Sequence, residues 1–498
     1  MMSRSVLAYL PVNFATIVVS FGGLAILTRL LDAAEYGRYQ LAMITMLAVH
    51  MALFSWLEAA MARFQARAER EGDVNSHVKT LYRYAVISVL LAWPLLMAIL
   101  WALPMLSTLD TAMRNLLMVA ITSTCFQLFL NLGTEAHKAA HRITRYSATY
   151  SSQLLLSFTI GIVLIMTTPL REMAPYIGIL VAICILLIFD VPFMAKQWRG
   201  GEAQVQKIKT YFNYGLPISI SLVLTYALAS GDMYIISAMM GDASAGEYSA
   251  SYNFANRSLD VLFIWLGMAF TPMAVTALEK QGLEESREIM KRYCAALLWI
   301  SMPAATGMAL VAGDIGFVLG EDVREGAVKI MPLIAFAGVL NGMICYYAQR
   351  AFMLSGNTST FVWAMVPPVI LNIALNIMLI PRFGLMGAVY ATVAAYGLGF
   401  VIAIIMGRRH YPLPVPIRAF IEISFACLLM AVAVRALGPL DNLPDFISLV
   451  IKASLGVIVY GVICLGINAA DCRHILQDIM GKFRNKNNLS DDLIEVAE

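Results

Sequence analysis

Fourteen apolar stretches, each long enough to cross a bilayer, follow one another with short polar breaks between them. They run over residues 5–28, 39–62, 84–106, 112–134, 147–168, 175–194, 213–240, 247–275, 293–319, 329–354, 360–381, 384–406, 417–437 and 447–468. A helical span needs roughly 20 mostly apolar residues. Hydrocarbon holds no water to satisfy backbone N–H and C=O groups, so a chain with this pattern must satisfy its own backbone as α-helices. Composition agrees: 60% of the residues are hydrophobic and 13% charged, where a soluble domain carries about 25% charged residues. The expectation is an all-α polytopic membrane protein of about 14 transmembrane helices.

The net charge of +3 carries little information, but its placement does. With the N-terminus placed in the cytoplasm, 24 of the 35 lysines and arginines fall on the cytoplasmic face and nine on the other; Arg257 and Arg350 fall inside spans. That asymmetry satisfies the positive-inside rule and puts both termini in the cytoplasm. The longest loops, near 63–83, 195–212 and 276–292, leave no room for a soluble domain, and residues 482–498 form a polar tail. The first apolar stretch reads as a span rather than a cleaved leader. Six of the seven cysteines fall inside spans and none forms a CxxC pair, so neither a disulfide framework nor a metal site is expected. No GxxxxGK[ST], HExxH or GxSxG pattern occurs. The chain is expected to be a transporter, not an enzyme, with no cofactor, no metal and no nucleic-acid partner.

A weak internal repeat runs through the chain. The first span ends in LTRLLDAAEYGRYQLA (27–42) and the seventh in ISAMMGDASAGEYSAS (236–251), with Glu35-Tyr36 and Glu247-Tyr248 separated by 212 residues. An offset of 215 aligns 136–160 with 351–375. The economical division is a six-helix lobe over 1–200, a second over 201–410, a further two-helix hairpin over 411–470 and a cytoplasmic tail over 471–498. Internal repeats around a central site are common among secondary transporters.

Three segments carry a family resemblance: LTRLLDAAEYGRYQLA, the stretch NIALNIMLIPRFGLMGAVYATVAAY (372–396), and Asp232 followed by GDASAGEYSASYNFANR (241–257). They resemble the polysaccharide-transporter (Wzx-type) family of the MOP flippase superfamily over roughly residues 5–406. The resemblance implies a V-shaped pair of lobes around a cationic cavity that opens to each face in turn. It implies transport of undecaprenyl-diphosphate-linked oligosaccharide from the cytoplasmic to the outer leaflet of a bacterial inner membrane, for exopolysaccharide, O-antigen or capsule assembly. The implied partners are that polyprenyl-diphosphate glycan, membrane lipids, and a polymerase and chain-length regulator of the same pathway. Related peptidoglycan-precursor flippases carry functional arginines in spans 1, 2 and 8. Arg257 is the match in span 8 and Arg29 the match in span 1, whereas span 2 offers His50 instead. Two alternatives stay open, a cation-coupled multidrug exporter of the MATE type and a peptidoglycan-precursor flippase.

Ionisable groups inside a span are costly and mark ligand or ion pathways. Asp232 and Arg257 lie at similar depth on the consecutive spans 7 and 8, and Asn253, Arg257 and Asp260 share one helix face at i, i+4, i+7 spacing. In one reading Arg257 attracts the diphosphate, whose geometry a guanidinium matches, while Asp232 and Asp260 orient it or titrate in ion coupling. In the other, Asp232 and Arg257 form a structural pair. Arg350, near the cytoplasmic end of span 10, either captures the incoming diphosphate or snorkels to the interface. The candidate substrate-binding residues are therefore Arg257, Asp260, Asp232, Asn253, Arg350 and Arg29. The candidate ion-coupling residues are Asp232, Asp260, His50 and Glu58. Thr124, Gln127 and Asn131 form a neutral stripe on span 4 suited to helix–helix hydrogen bonds or to sugar hydroxyls.

Overall fold

The computed structural model describes residues 11–106, 110–199, 201–438, 440 and 443–473. The start of the first expected span and residues 474–498 of the expected tail lie outside the described residues. Among the described residues there are helices and no strand. The principal helices are α1 (Pro11–Leu30), α2 (Ala33–Leu53) and α3 (Ser55–Glu71), α4 (Val74–Leu106) and α5 (Thr111–Ala139). Next come α6 (Ile143–Thr167), α7 (Ala174–Arg199), α8 (Val205–Ser230) and α9 (Asp232–Met240). Then follow α10 (Asp242–Lys280), α11 (Leu283–Leu310) and α12 (Glu321–Leu354). The last four are α13 (Thr358–Phe383), α14 (Leu385–Gly407), α15 (Ile417–Ala436) and α16 (Asp445–Ile467). Thirteen helices among the described residues are long and apolar enough to span a membrane, and the bent pair α2–α3 makes a fourteenth. The expected all-α, 14-span membrane architecture stands. Leu91, Ile188, Trp265, Trp363 and Val457 lie exposed on these helices, as befits a chain whose solvent is lipid.

Packing separates two units. The first comprises residues 1–254, 318–330 and 357–403; the second comprises 255–317, 331–356 and 404–498. In the first unit, a core of Trp56, Leu57, Val78, Leu81, Leu128, Leu132 and Tyr211 joins α3, α4, α5 and α8. A second core of Ala42, Met46, Leu116, Ala120 and Tyr176 joins α2, α5 and α7. In the second unit, α15 and α16 pack on α11. Tyr460 donates to the Trp299 carbonyl at 2.7 Å, and Lys452 and Ser448 both donate to Asp314.

Lipid does not drive apolar helix faces together as water would, so close backbone approach at small residues takes on that work. The first turns of α2 and α10 cross at Gly37 and Gly246. A Cβ on Gly37 would overlap the Asp242 carbonyl, and one on Gly246 would overlap the Ala33 carbonyl. Nearby, a Cβ on Gly320 would overlap the Thr28 carbonyl, and the Gly320 N–H donates to the Thr28 hydroxyl at 3.0 Å. Ion pairs frame the crossing. Asp32 and Glu35 form a reciprocal cap at the start of α2, and Arg171 grips Glu35 through two bonds of 2.6 Å. Arg38 donates to Glu172 at 2.9 Å and lies 4.0 Å from Asp242.

The segment leading into α8 is fastened to the α3–α4 turn. Lys79 donates to the Gly201 carbonyl at 2.7 Å, the Gln204 N–H donates to Thr80 at 2.9 Å, and Lys207 meets Asp73 at 2.5 Å. The Lys207 ammonium is the main reason the Asp73 carboxyl titrates below its ordinary range.

Two spans are interrupted where the sequence predicts continuous helices. The second turns through 53° between α2 and α3. The turn persists because side chains satisfy the carbonyls it frees. Ser55 donates to Met51 O at 2.6 Å, and the Trp56 indole donates to Leu53 O at 3.0 Å. The seventh is interrupted at Gly231, so that Asp232 opens α9. We expect Gly37→Val to lower stability by about 2 kcal/mol, the scale of overpacking, read as a lower midpoint of thermal unfolding in detergent. Gly397→Ala, where no atom lies within 4 Å of the added carbon, should leave the midpoint unchanged.

Candidate functional site

Three clusters of polar side chains stand among the apolar helices. The first, in the first unit, surrounds Asp232, which is 0% exposed. Tyr248 donates to Oδ2, and the Thr392 hydroxyl lies 3.0 Å from the same oxygen. Tyr252 and Tyr396, one turn further along α10 and α14, pair at 2.9 Å. Asp232 Oδ1 is buried with no donor against it. The neighbouring α13 carries Asn372 and Asn376, both buried and linked to each other, with Asn372 Nδ2 and Asn376 Oδ1 left over. A carboxylate buried in hydrocarbon is costly unless partnered.

The second cluster, in the second unit, contains Arg257, Asp260 and Arg350. Arg257 and Asp260 lie three residues apart on α10, close enough for their charges to interact, and Tyr346 of α12 lies close to Asp260. The approach depends on missing side chains. A Cβ on Gly342 would overlap the Phe263 ring, and one on Gly338 would crowd Leu259 and Asn256. Phe263 and Tyr346 stack with centroids 5.4 Å apart. Tyr346 belongs to a wide π-turn, Met343–Ala348, and its carbonyl accepts from Arg350 Nε at 3.3 Å. Arg350 borders a pocket of about 290 Å³ with Thr271, Leu278, Glu279, Met290 and Met353. Arg257 is exposed, whereas Asp260, Arg350 and Asn253 are half-buried.

The third cluster, in the first unit, brackets the bend in the second span. His50 Nε2 and Glu58 Oε1 lie 2.8 Å apart across it. Asn131 donates to the same Glu58 oxygen at 2.9 Å, Gln127 donates to Asn131 at 2.6 Å, and Gln153 donates to Gln127 at 2.5 Å. Two residues of the neutral stripe on the fourth span thus serve helix–helix hydrogen bonding. Arg29 stands exposed in the last turn of α1, beside the Thr28–Gly320 contact. Among the described residues no group of three or more His, Cys, Asp or Glu could hold a metal ion.

Thus Arg257, Asp260 and Arg350 come together around Tyr346, and His50 meets Glu58. Asp232 has hydroxyls as its partners. Sequence reasoning missed Tyr248, Thr392, Tyr346 and Gln153. Tyr248 and Thr392 carried a signal, one inside the repeated Glu-Tyr pair and the other inside the 372–396 signature. Tyr346 had none, since a π-turn leaves no periodic trace.

The helix order and intramembrane clusters define a polytopic membrane protein. Solved structures agree on the fold. The inward-closed lipid II flippase MurJ matches with a TM-score of 0.73 at 16% identity, covering 92% of this chain and 98% of that one. An inward-facing MATE multidrug-resistance transporter of the MOP superfamily matches at 0.69 and 11% identity, covering 81% and 97%. The family described as "Polysaccharide biosynthesis protein" matches residues 2–278, and the chain belongs to that family. Among its relatives in Haloferax volcanii is the probable flippase AglR, 24% identical over 248 residues, 48% of this chain and 50% of AglR. Another is the probable low-salt glycan biosynthesis flippase Agl15, 21% identical over 269 residues, 52% of this chain and 54% of Agl15. The matches span about half the length of these curated relatives.

We expect Thr392→Val to remove one donor from a buried carboxylate at a cost of about 1 kcal/mol, and Tyr248→Phe to cost at least as much. Both should appear as lower unfolding midpoints with membrane insertion unchanged. Equal midpoints for wild type and Tyr248→Phe would mean Asp232 does not depend on this hydroxyl.

Proposed function

We propose that this chain flips a polyprenyl-diphosphate-linked oligosaccharide, of the undecaprenyl type, from the cytoplasmic to the outer leaflet of a bacterial inner membrane. The glycan feeds surface-polysaccharide assembly, both termini lie in the cytoplasm, and a polymerase and chain-length regulator act downstream. The observation that carries the substrate class is the exposed Arg257 guanidinium inside an apolar helix, held beside Asp260 and Tyr346. A guanidinium in a span marks an anion pathway, and a diphosphate offers paired oxygens at its spacing. Family membership and the relatives named as probable flippases, one of them for glycan biosynthesis, support the same reading.

In this reading Arg350 and its pocket receive the diphosphate at the cytoplasmic end, and Arg257 holds it during the crossing. Asp260 keeps Arg257 from trapping the anion, because the carboxylate competes for the guanidinium. Asp232 supplies the ion coupling, its unfilled Oδ1 being the acceptor. A cationic drug would find a repulsive charge at Arg257, which disfavours the multidrug-exporter alternative.

Arg257→Glu should abolish surface polymer in a host that depends on this chain while the protein still inserts at normal levels. Arg257→Lys should retain part of it. The corresponding loss of affinity for a polyprenyl diphosphate is expected at roughly 10- to 100-fold, the worth of one charge-assisted hydrogen-bonding group. Full polymer from well-inserted Arg257→Glu would remove the diphosphate role.

A further inference from the structure

We propose that His50 and Glu58 form a proton-binding clasp across the bend in the second span, and that one proton taken up by the pair tightens it from a hydrogen bond between imidazole and carboxylate to an ion pair. The inference starts from the two helix ends that meet at Phe54. His50 lies in the last turn of α2 and Glu58 in the first turn of α3. The negative end of one helix dipole therefore faces the imidazole and the positive end of the next faces the carboxylate. Both ends favour the charged forms, imidazolium and carboxylate.

The amide chain favours the same state. Gln153, Gln127 and Asn131 donate head to tail, and the last donation ends on Glu58 Oε1. Each amide polarises the next, so the row strengthens its final bond. The row ends on an acceptor, an arrangement that suits a carboxylate at Glu58 and leaves His50 as the group that gains the proton. The polar and charged groups around the pair on the neighbouring helices have the following partners. The fifth helix offers the neutral Gln127 and Asn131, while its Glu135 is taken by Lys138. The sixth helix offers Gln153. From α8 comes Ser219, which meets Ser55 at 2.8 Å, and from α4 comes His77, which is bonded to Tyr211. Thr45, further up α2, meets Tyr234 of α9, and Arg63 of α3 is exposed.

The bend can respond to the clasp because it is an interruption rather than a smooth curve. Its freed carbonyls are already held by Ser55 and Trp56, so the angle changes without exposing backbone to hydrocarbon. Proton loading clamps the bend and release loosens it. Such a cycle would feed a proton gradient into alternating access, a use that rests on the transporter reading given above. The clasp itself does not.

Trp56 reports on the bend. Its indole is bonded to Leu53 O and lies edge-on to Phe212 at 5.3 Å. The full chain in lipid nanodiscs, without substrate, is titrated from pH 8 to pH 5 by tryptophan fluorescence, with Trp56→Phe subtracted to isolate that signal. A single transition within that range is expected. His50→Gln, which keeps a donor for Glu58, should abolish it. Glu58→Gln should displace it to lower pH, since the anion no longer steadies the imidazolium. A flat wild-type signal, or a transition that survives His50→Gln, overturns the clasp. If His50→Gln does not fold, the wild-type curve and the Glu58→Gln shift still decide. Because no substrate is present, a positive result stands even if polymer assembly proves independent of this chain, and a negative one leaves the flippase reading untouched.

Discussion

Backbone hydrogen bonding in a medium without water is the constraint on which the rest of this structure depends. It makes the described residues helical and makes every interruption of a helix expensive. The interruptions present are therefore informative. At Phe54 two side chains take over the freed carbonyls, at Gly231 the chain turns at a residue without a side chain, and over Met343–Ala348 the helix widens into a π-turn. Each lies beside an ionisable cluster: His50 and Glu58 at the first, Asp232 at the second, Tyr346 with Asp260 and Arg350 at the third. Where the regular helix is given up, a polar group gains a position that regular geometry would not provide.

The clusters differ in what surrounds the charge. Asp232 is enclosed by hydroxyls of Tyr248 and Thr392 and keeps one oxygen unfilled. Arg257 is exposed and steadied by a carboxylate on its own helix, which suits a larger anion arriving from outside the packing. His50 and Glu58 satisfy each other. A low dielectric makes each arrangement costly when incomplete and strong when complete.

Much of this was legible beforehand. Span number, the all-α class and the family follow from hydropathy and from the segments 27–42, 241–257 and 372–396. The grouping of Asp260 with Arg257 follows from helical spacing on one element. The partners of Asp232 were less accessible, because Tyr248 and Thr392 come from other helices and look like ordinary members of apolar segments. The meeting of Tyr346 with Asp260 depends on Gly338 and Gly342 letting α12 close on α10, and a glycine's neighbour is not written beside it in the chain.

By itself, then, the sequence determined that this protein lives in a membrane, how many times it can cross, and which few charges must be accommodated there. Hydrophobicity and charge are local properties, and in hydrocarbon local properties decide secondary structure outright. Only the tertiary structure decided which charge meets which partner. It placed Asp232 among hydroxyls, Arg350 against Tyr346, and His50 against Glu58 across a 53° bend. Those pairings depend on helix crossings set by small residues and backbone contact, and no periodicity along a single helix encodes the neighbour it will touch.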